Sequence, residues 1–277
     1  MFKKIILGFF IICVLSCETS PIRNEAKTGS VDYFENLDGC FLLYNMNTMK
    51  LDKVIGDERC RKQFPACSTF KVPLAVMAFE SKILKDENVV LKWNGKREVR
   101  EESNRNHNAQ TWMKHSIVWF SQRLTPQIGK KRLQKYLNDF DYGNKDLAGD
   151  IKNAWLVSPS DNGPALKISG YEQLEFMKKL WMNKLPTSLR SMQLTRDITF
   201  LETSAKGTKL SGKTGSNFYD MAHKIHLGWF ISHIQNGEQE YIAITNFSDL
   251  GPVENLGYGG PRAKEITKRI LADLGLW

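Results

Sequence analysis

Ser68 and Lys71 stand three residues apart in Phe64-Pro65-Ala66-Cys67-Ser68-Thr69-Phe70-Lys71, just before a run whose apolar residues recur at helical spacing. Positions i and i+3 of a helix share a face, so an amine there lies within reach of the hydroxyl. A serine becomes a nucleophile when a neighbouring base takes its proton, and an uncharged lysine amine is such a base. The pair therefore predicts covalent catalysis through Ser68. A helix N-cap is the competing role for the same serine, and a chain of this composition contains about one Ser-x-x-Lys by chance.

The order of three later segments favours catalysis. Ser116-Ile117-Val118 follows in an aromatic-rich helical stretch, then Tyr142-Gly143-Asn144, then Lys213-Thr214-Gly215-Ser216. Lys27-Thr28-Gly29-Ser30 duplicates the last of these, but it precedes the nucleophile in a polar segment without a strand pattern. The second copy runs into a strong strand hairpin and is the one assigned to the site.

These residues need elements to hold them. Gly39 to Tyr44 and Leu51 to Ile55 read as a β-hairpin around Asn47, and Asp57 to Pro65 is the loop that delivers the chain to the nucleophile. Val72, Ala75, Val76 and Phe79 predict a buried helix that carries Ser68 and ends near Lys85. Residues 86 to 108 read as loops. Thr111 to Leu124 and Gln127 to Asn138 read as helices separated at Pro126. Tyr142 to Gly149 is a loop, Ser158 to Pro164 a turn cluster, and Tyr171 to Leu185 and Thr187 to Leu201 are further helices. Leu210 to Lys213 reads as a strand. Ala222 to Gln235 and Glu238 to Phe247 form a hairpin through Asn236-Gly237, and Pro261 to Leu274 is a closing amphipathic helix. Strands at both ends with helices between them predict an α/β chain of the α+β type: a central, mostly antiparallel sheet flanked by helices, with an inserted all-helical subdomain. The expected lobes are about 37–85 with 202–277, and 86–201, with a cleft between them.

The 277 residues, 42% of them hydrophobic, suffice for a substantial core. Residues 1–17 read as a signal peptide: Lys3 and Lys4 precede an apolar run from Ile5 to Leu15 that is short for a bilayer span. Ser16 offers an ordinary cleavage point and Cys17 a lipoprotein one, although Leu15 is bulky for the latter; a retained anchor is the third option. Residues 18–36 are a polar linker, and 37–277 the catalytic domain. This implies export, most simply to a bacterial periplasm, with membrane attachment only through the leader or a lipid on Cys17. Removal of Lys3 and Lys4 leaves 37 basic against 30 acidic residues, a net charge of +7. The basic residues are spread among acids without a nucleic-acid-binding motif, so nucleic acid is not an expected partner. In an oxidising compartment Cys40 and Cys60, near two adjacent strands, are the favoured disulfide, with Cys60 and Cys67 as the alternative. Among the 5 histidines, His223 and His226 fall on opposite faces of the predicted strand, so no metal site is expected. Gly257-Tyr258-Gly259-Gly260 lacks the strand, helix and lysine of a phosphate loop.

From about Gly39 to the C-terminus the chain resembles the class D serine β-lactamases, the oxacillinases, within the wider set that pairs Ser-x-x-Lys with a second serine motif and Lys-Thr-Gly. The resemblance rests on Phe64 to Pro73 around the nucleophile, Met113 to Trp119, Tyr142-Gly143-Asn144, Trp155 after the tyrosine loop, Lys213-Thr214-Gly215, Gly228-Trp229-Phe230 and Arg262. It implies that Ser68 forms an acyl-enzyme with a β-lactam such as a penicillin, cephalosporin or carbapenem, the backbone N–H groups of Ser68 and Ser216 providing the oxyanion hole. It also implies that carbon dioxide or bicarbonate carboxylates Lys71, which then serves as general base, with Val118 and Trp155 in its pocket and the Trp155 N–H on the carbamate. Ser116 would relay a proton toward the departing nitrogen, while Lys213 contributes positive charge and orders that hydroxyl. Tyr142, Asn144, Thr214, Gly215, Ser216 and Arg262 would bind substrate, Thr214 and Arg262 through its carboxylate. No other cofactor is implied. Cys67 before the nucleophile, the segment around Ser158 to Pro164, and the lack of tryptophan and aspartate in Asn104 to Asn108 depart from the family pattern. The rival readings are a β-lactam sensor domain that is acylated without turnover, and a cell-wall DD-peptidase, against which Val118 argues.

Overall fold

Strand β1 (Leu37–Asn45) shows why this sequence makes a two-faced sheet. Its residues are buried on both sides, Cys40, Leu42 and Tyr44 in one apolar cluster and Phe41 and Leu43 in another. Successive strand side chains point to opposite faces, so such a continuous apolar run must be covered twice. The computed structural model describes residues 1, 31–147, 149–158, 165–253 and 257–277. The expected leader, with Cys17, and residues 159–164 of the predicted turn cluster lie outside them.

Chain order from β1 is β2 (Lys50–Ile55), α1 (Asp57–Arg61), β3 (Phe64–Pro65), a 3-10 turn (Cys67–Phe70), α2 (Lys71–Glu80), α3 (Ala109–His115), α4 (Val118–Ile128) and α5 (Lys130–Phe140). Then come β4 (Lys167–Ile168), α6 (Gly170–Trp181), α7 (Leu189–Ile198), β5 (Phe200–Thr203), β6 (Lys209–Asp220), β7 (Ile225–Asn236), β8 (Gln239–Asp249) and α8 (Gly259–Asp273). Six strands form one antiparallel sheet in the order β2-β1-β8-β7-β6-β5. Both chain ends supply strands to it, as expected from the sequence. Helix α8 covers one face through Ala263, Ile266, Ile270 and Leu271. Helix α6 and the 3-10 turn lie on the other, where Trp229, Ile231 and Ile244 join the larger core with α2.

Several boundaries differ from the sequence reading, each for a local reason. Ser68 sits in the 3-10 turn before α2 rather than in the helix itself. The helix predicted over Thr111 to Leu124 is two helices, broken where Ser116 takes a left-handed conformation (φ 56°). Pro126 lies inside α4, and the chain turns instead at Gly129 (φ 83°). Leu201 belongs to β5 rather than to a helix. His223 falls in the turn before β7, so it and His226 do not share a strand. Each histidine ring meets a different acid, Asp220 and Asp249. Among the described residues no three His, Cys, Asp or Glu side chains converge as metal ligands, and no helix is long and apolar enough to cross a membrane.

Cys40 and Cys60 are joined, tying β1 to α1 across 20 residues, and Cys67 is the buried free thiol. Closing a loop of that size removes freedom from the unfolded chain and stabilises by about 3 kcal/mol. Denaturant unfolding with and without reductant should show a loss of that order on reduction. Cys67, whose thiol burial pushes up to about 12, should stay unreactive in the folded protein.

Candidate active site

The chain approaches the nucleophile along a rigid track. The indole N–H of Trp229 donates to the Pro65 carbonyl at 3.0 Å, Ala66 N–H to Leu166 O at 3.1 Å, and Cys67 N–H to Trp155 O at 2.9 Å. Cys67 itself is held at φ 50°. Within Cys67–Phe70 three side chains are buried and Ser68 alone is partly exposed. Gln173 on α6 donates to Thr69 Oγ1 at 2.8 Å, which locks the turn from behind.

Lys71 opens α2 and its side chain is fully buried, with Nζ hydrogen-bonded to Ser68 Oγ at 2.9 Å. Burial holds its amine well below the ordinary lysine range, and the cations Lys213 and Arg100 push it further the same way. An ammonium ion stripped of water is costly, so the uncharged form is favoured. Phe70, Val72 and Trp155 are buried in one apolar core, and the Phe70 and Trp155 rings lie 5.0 Å apart. The Trp155 Nε1–H is buried without a hydrogen-bond partner. A donor left unmet in the interior is costly, and it marks a place for an acceptor.

Strand β6 brings Lys213. Its register places Lys213 opposite Ile231 and Gly215 opposite Trp229, so these side chains face the 3-10 turn, while Thr214, opposite Phe230, faces α8. A Cβ on Gly215 would stand 3.1 Å from Cys67 Cβ and 3.2 Å from Thr69 Cγ2, which explains glycine at this close approach. Pairing with β5 ends at Ser211, so β6 has an uncovered edge from Lys213 to Ser216. Lys213 Nζ donates to Thr214 O at 3.0 Å, and burial with Arg100 nearby lowers its pKa to about 7. Ser216 Oγ accepts from the Gly260 N–H at 2.8 Å, which anchors the start of α8 on the strand. The left-handed turn at Ser116 leaves that residue partly exposed in a shallow depression with Val118.

Two expected substrate contacts, Tyr142 and Asn144, are corrected. Tyr142 is fully buried, packed between Phe70 and Phe176, and burial raises its pKa; it cannot touch a ligand in the cleft. Asn144 is a loop fastener: its Nδ2 donates to Ala165 O at 2.8 Å and its Oδ1 accepts from Lys167 N–H at 2.9 Å. Arg262 donates through Nη2 to the buried carboxylate of Asp249 at 2.8 Å and stacks on Phe247, and its Nη1 is buried without a hydrogen-bond partner. The Asp249 contact pins α8 to β8, and the unmet Nη1 donor, like that of Trp155, marks a place for an acceptor. Arg100, from the loop before α3, was missed in the sequence because nothing in an irregular loop marks it.

The sequence signature of the penicillin binding protein transpeptidase domain covers residues 19–272. The chain is 35% identical to β-lactamase OXA-1 of Escherichia coli over 80% of each chain. The chain belongs to the class D serine β-lactamase family. It is also 32% identical to the probable β-lactamase YbxI of Bacillus subtilis (strain 168), over 98% of this chain and 93% of that one. Among solved structures, a class D β-lactamase BAT-2 delta mutant superposes with a TM-score of 0.77 at 30% identity, covering 90% of this chain and 99% of that one. The C-terminal domain of the Bacillus licheniformis BlaR penicillin-receptor gives 0.79 at 28% identity over 88% and 94%.

Within this class D site, Lys71 works as a base only while uncharged, so its function is lost as pH falls through its folded pKa. Lys213→Ala removes a repelling cation and lets Lys71 hold its proton more tightly. The acid limb of Ser68 acylation, measured against pH in carbonate-free buffer, should move to higher pH in that variant as the plateau falls. An unmoved limb would contradict the coupling.

Proposed function

We propose that the protein is an exported β-lactamase that hydrolyses β-lactam antibiotics through an acyl-enzyme on Ser68, with Lys71 as the proton acceptor. The observation that carries this reading is the buried Lys71 amine 2.9 Å from Ser68 Oγ. At that distance an uncharged amine accepts the hydroxyl proton while Oγ attacks the lactam carbonyl. The backbone N–H groups of Ser68 and Ser216 stabilise the oxyanion that forms, charge that exists only along the reaction path. As the lactam C–N bond breaks, the Ser116 hydroxyl gives its proton to the nitrogen and is resupplied with the one Lys71 accepted, the charge of Lys213 ordering that hydroxyl. Water attacks the ester and releases the ring-opened acid with Ser68 restored. Thr214 and Gly215 on the uncovered stretch of β6 line the substrate's path.

Carboxylation of Lys71 fits the same pocket. Attack of a neutral amine on carbon dioxide releases one proton and leaves a carbamate, which supplies a base for both acylation and hydrolysis. Trp155, whose Nε1–H is buried and unpartnered, would hold it, and Phe70 and Val72 would keep water from it. A receptor that is acylated without turnover is the second reading, favoured by the likeness to the BlaR domain. Against it, the identity to the methicillin resistance MecR1 protein of Staphylococcus aureus (strain Mu50 / ATCC 700699) is 27%, below that to the two β-lactamases, and the chain spans 39% of MecR1.

The purified mature protein should hydrolyse a chromogenic cephalosporin, faster with bicarbonate, and Ser68→Ala and Lys71→Ala should abolish turnover. A carbamate carbon signal from 13C-bicarbonate should be present in the wild type and missing in Lys71→Ala. Trp155→Phe, which deletes one hydrogen bond to a charged group, should need about tenfold more bicarbonate for half-occupancy. Stoichiometric acylation without turnover would favour the receptor, and unchanged hydrolysis in Ser68→Ala would refute the nucleophile.

A further inference from the structure

Two arms of the chain meet behind the nucleophile: residues 64–71, and residues 166–173, which run from β4 into α6. Strands β3 and β4 pair them at one end, Phe64 opposite Ile168 and Pro65 opposite Lys167. Further along both arms, Gln173 Nε2 donates to Thr69 Oγ1 at 2.8 Å. The nucleophile's arm is thus held at two points, on either side of Cys67 and Ser68.

Thr69 is fully buried and closes the turn that presents Ser68. Its backbone N–H donates to the Ala66 carbonyl at 3.2 Å, and its hydroxyl donates to the same oxygen. Cys67 and Ser68 are the two residues enclosed, Cys67 in the left-handed conformation at φ 50°. The peptide plane between them carries the Ser68 N–H, which has no acceptor among the described residues. Fixing Thr69 against Ala66 therefore fixes where that N–H points.

Gln173 holds Thr69 from outside the turn. With the Thr69 hydroxyl hydrogen directed at Ala66, only lone pairs face α6, so the group that meets them is the amide N–H of Gln173. The glutamine is fully buried and its Oε1 has no hydrogen-bond partner. An apolar side chain of the same length would fill that space without an unmet acceptor, which leaves the bond to Thr69 as the reason for an amide here. The backbone of Gln173 is fixed as well. At the start of α6 Ser169 and Glu172 cap each other, Gln63 donates to Glu172 at 2.8 Å, and a Cβ on Gly170 would stand 2.9 Å from Cys40 Sγ. The first turn of α6 rests on the Cys40–Cys60 disulfide.

Resting on the β-lactam reading above, we propose that Gln173 is a positioning residue for the oxyanion hole: through Thr69 it sets the Cys67–Ser68 peptide so that the Ser68 N–H meets the charge developing on the lactam oxygen. Gln173 itself touches no substrate. An oxyanion donor works only when aimed at the place the charge will occupy, so a loosened turn slows acylation and leaves the initial binding of substrate unchanged.

The experiment follows acylation of Ser68 in carbonate-free buffer by a penicillin carrying carbon-13 at the lactam carbonyl. Rapid mixing with intact-protein mass spectrometry gives the initial dissociation constant and the maximal acylation rate. Isotope-edited infrared spectroscopy gives the ester carbonyl stretch of the acylated molecules alone, so an unfolded fraction does not contribute. Gln173→Met keeps the volume and removes the donor. It should slow acylation about tenfold, the worth of one hydrogen bond, with the dissociation constant unchanged, and should move the carbonyl stretch to higher frequency as its polarisation falls. Gln173→Glu, whose buried carboxyl stays protonated and keeps an O–H donor, should recover part of the rate. Thr69→Ser should behave as the wild type, Thr69→Val should show the loss at least as strongly as Gln173→Met, and the double variant should be no worse than Thr69→Val. Additive losses in the double variant, or a carbonyl stretch unmoved in Gln173→Met beside a normally acylated wild type, would overturn this assignment alone. A wild type that is never acylated would overturn the β-lactam reading and the assignment with it.

Discussion

The site depends on one constraint: a lysine amine kept out of water next to a serine hydroxyl. An ammonium ion in the same place would cost several kcal/mol of lost hydration, with no carboxylate among the described residues paired to it. The protein therefore tilts Lys71 toward its uncharged form by burial first and by two neighbouring cations second. The remaining features are ways to build and keep that dry pocket. The 3-10 turn exposes Ser68 and nothing else of its four residues, while Thr69, Phe70 and Cys67 plug the surrounding core. The Trp229 and Gln173 side chains fix that turn from the sheet side and from α6.

Positioning by rigid elements matters because proton transfer and attack are sensitive to small displacements. Gly215 lets β6 come within van der Waals distance of the turn, and Gly260 lets the start of α8 lie on Thr214 and Ser216. The left-handed residue Ser116 ends α3 and lines the depression. A non-glycine residue in that conformation carries strain, which surrounding packing sustains, and such strain concentrates where function needs a particular orientation.

The sequence shows the sheet and the nucleophile well because both are written in local patterns. The continuous apolar run of β1, the Asn236-Gly237 turn and the apolar spacing after Lys71 are each short-range signals. The break at Ser116 was not visible, since nothing in Lys114-His115-Ser116-Ile117 disfavours a helix; tertiary contacts impose it. Pro126 misled in the opposite direction, as α4 accommodates it. Tyr142 and Asn144 were read as substrate contacts from a motif, whereas burial and backbone hydrogen bonds make them parts of the frame. The tie between Arg262 and the buried Asp249 was likewise invisible, because it joins α8 to β8 through a tertiary contact that no local pattern marks.

The account's central claim is the charge state of one amine. Lysine labelled with 13C at the ε carbon, observed by NMR across a pH titration in carbonate-free buffer and assigned by comparison with Lys71→Ala, reports it directly. The prediction is a Lys71 resonance that deprotonates well below the range of the exposed lysines. A Lys71 signal that stays cationic until the exposed lysines titrate, in protein that remains fully active, would contradict the account.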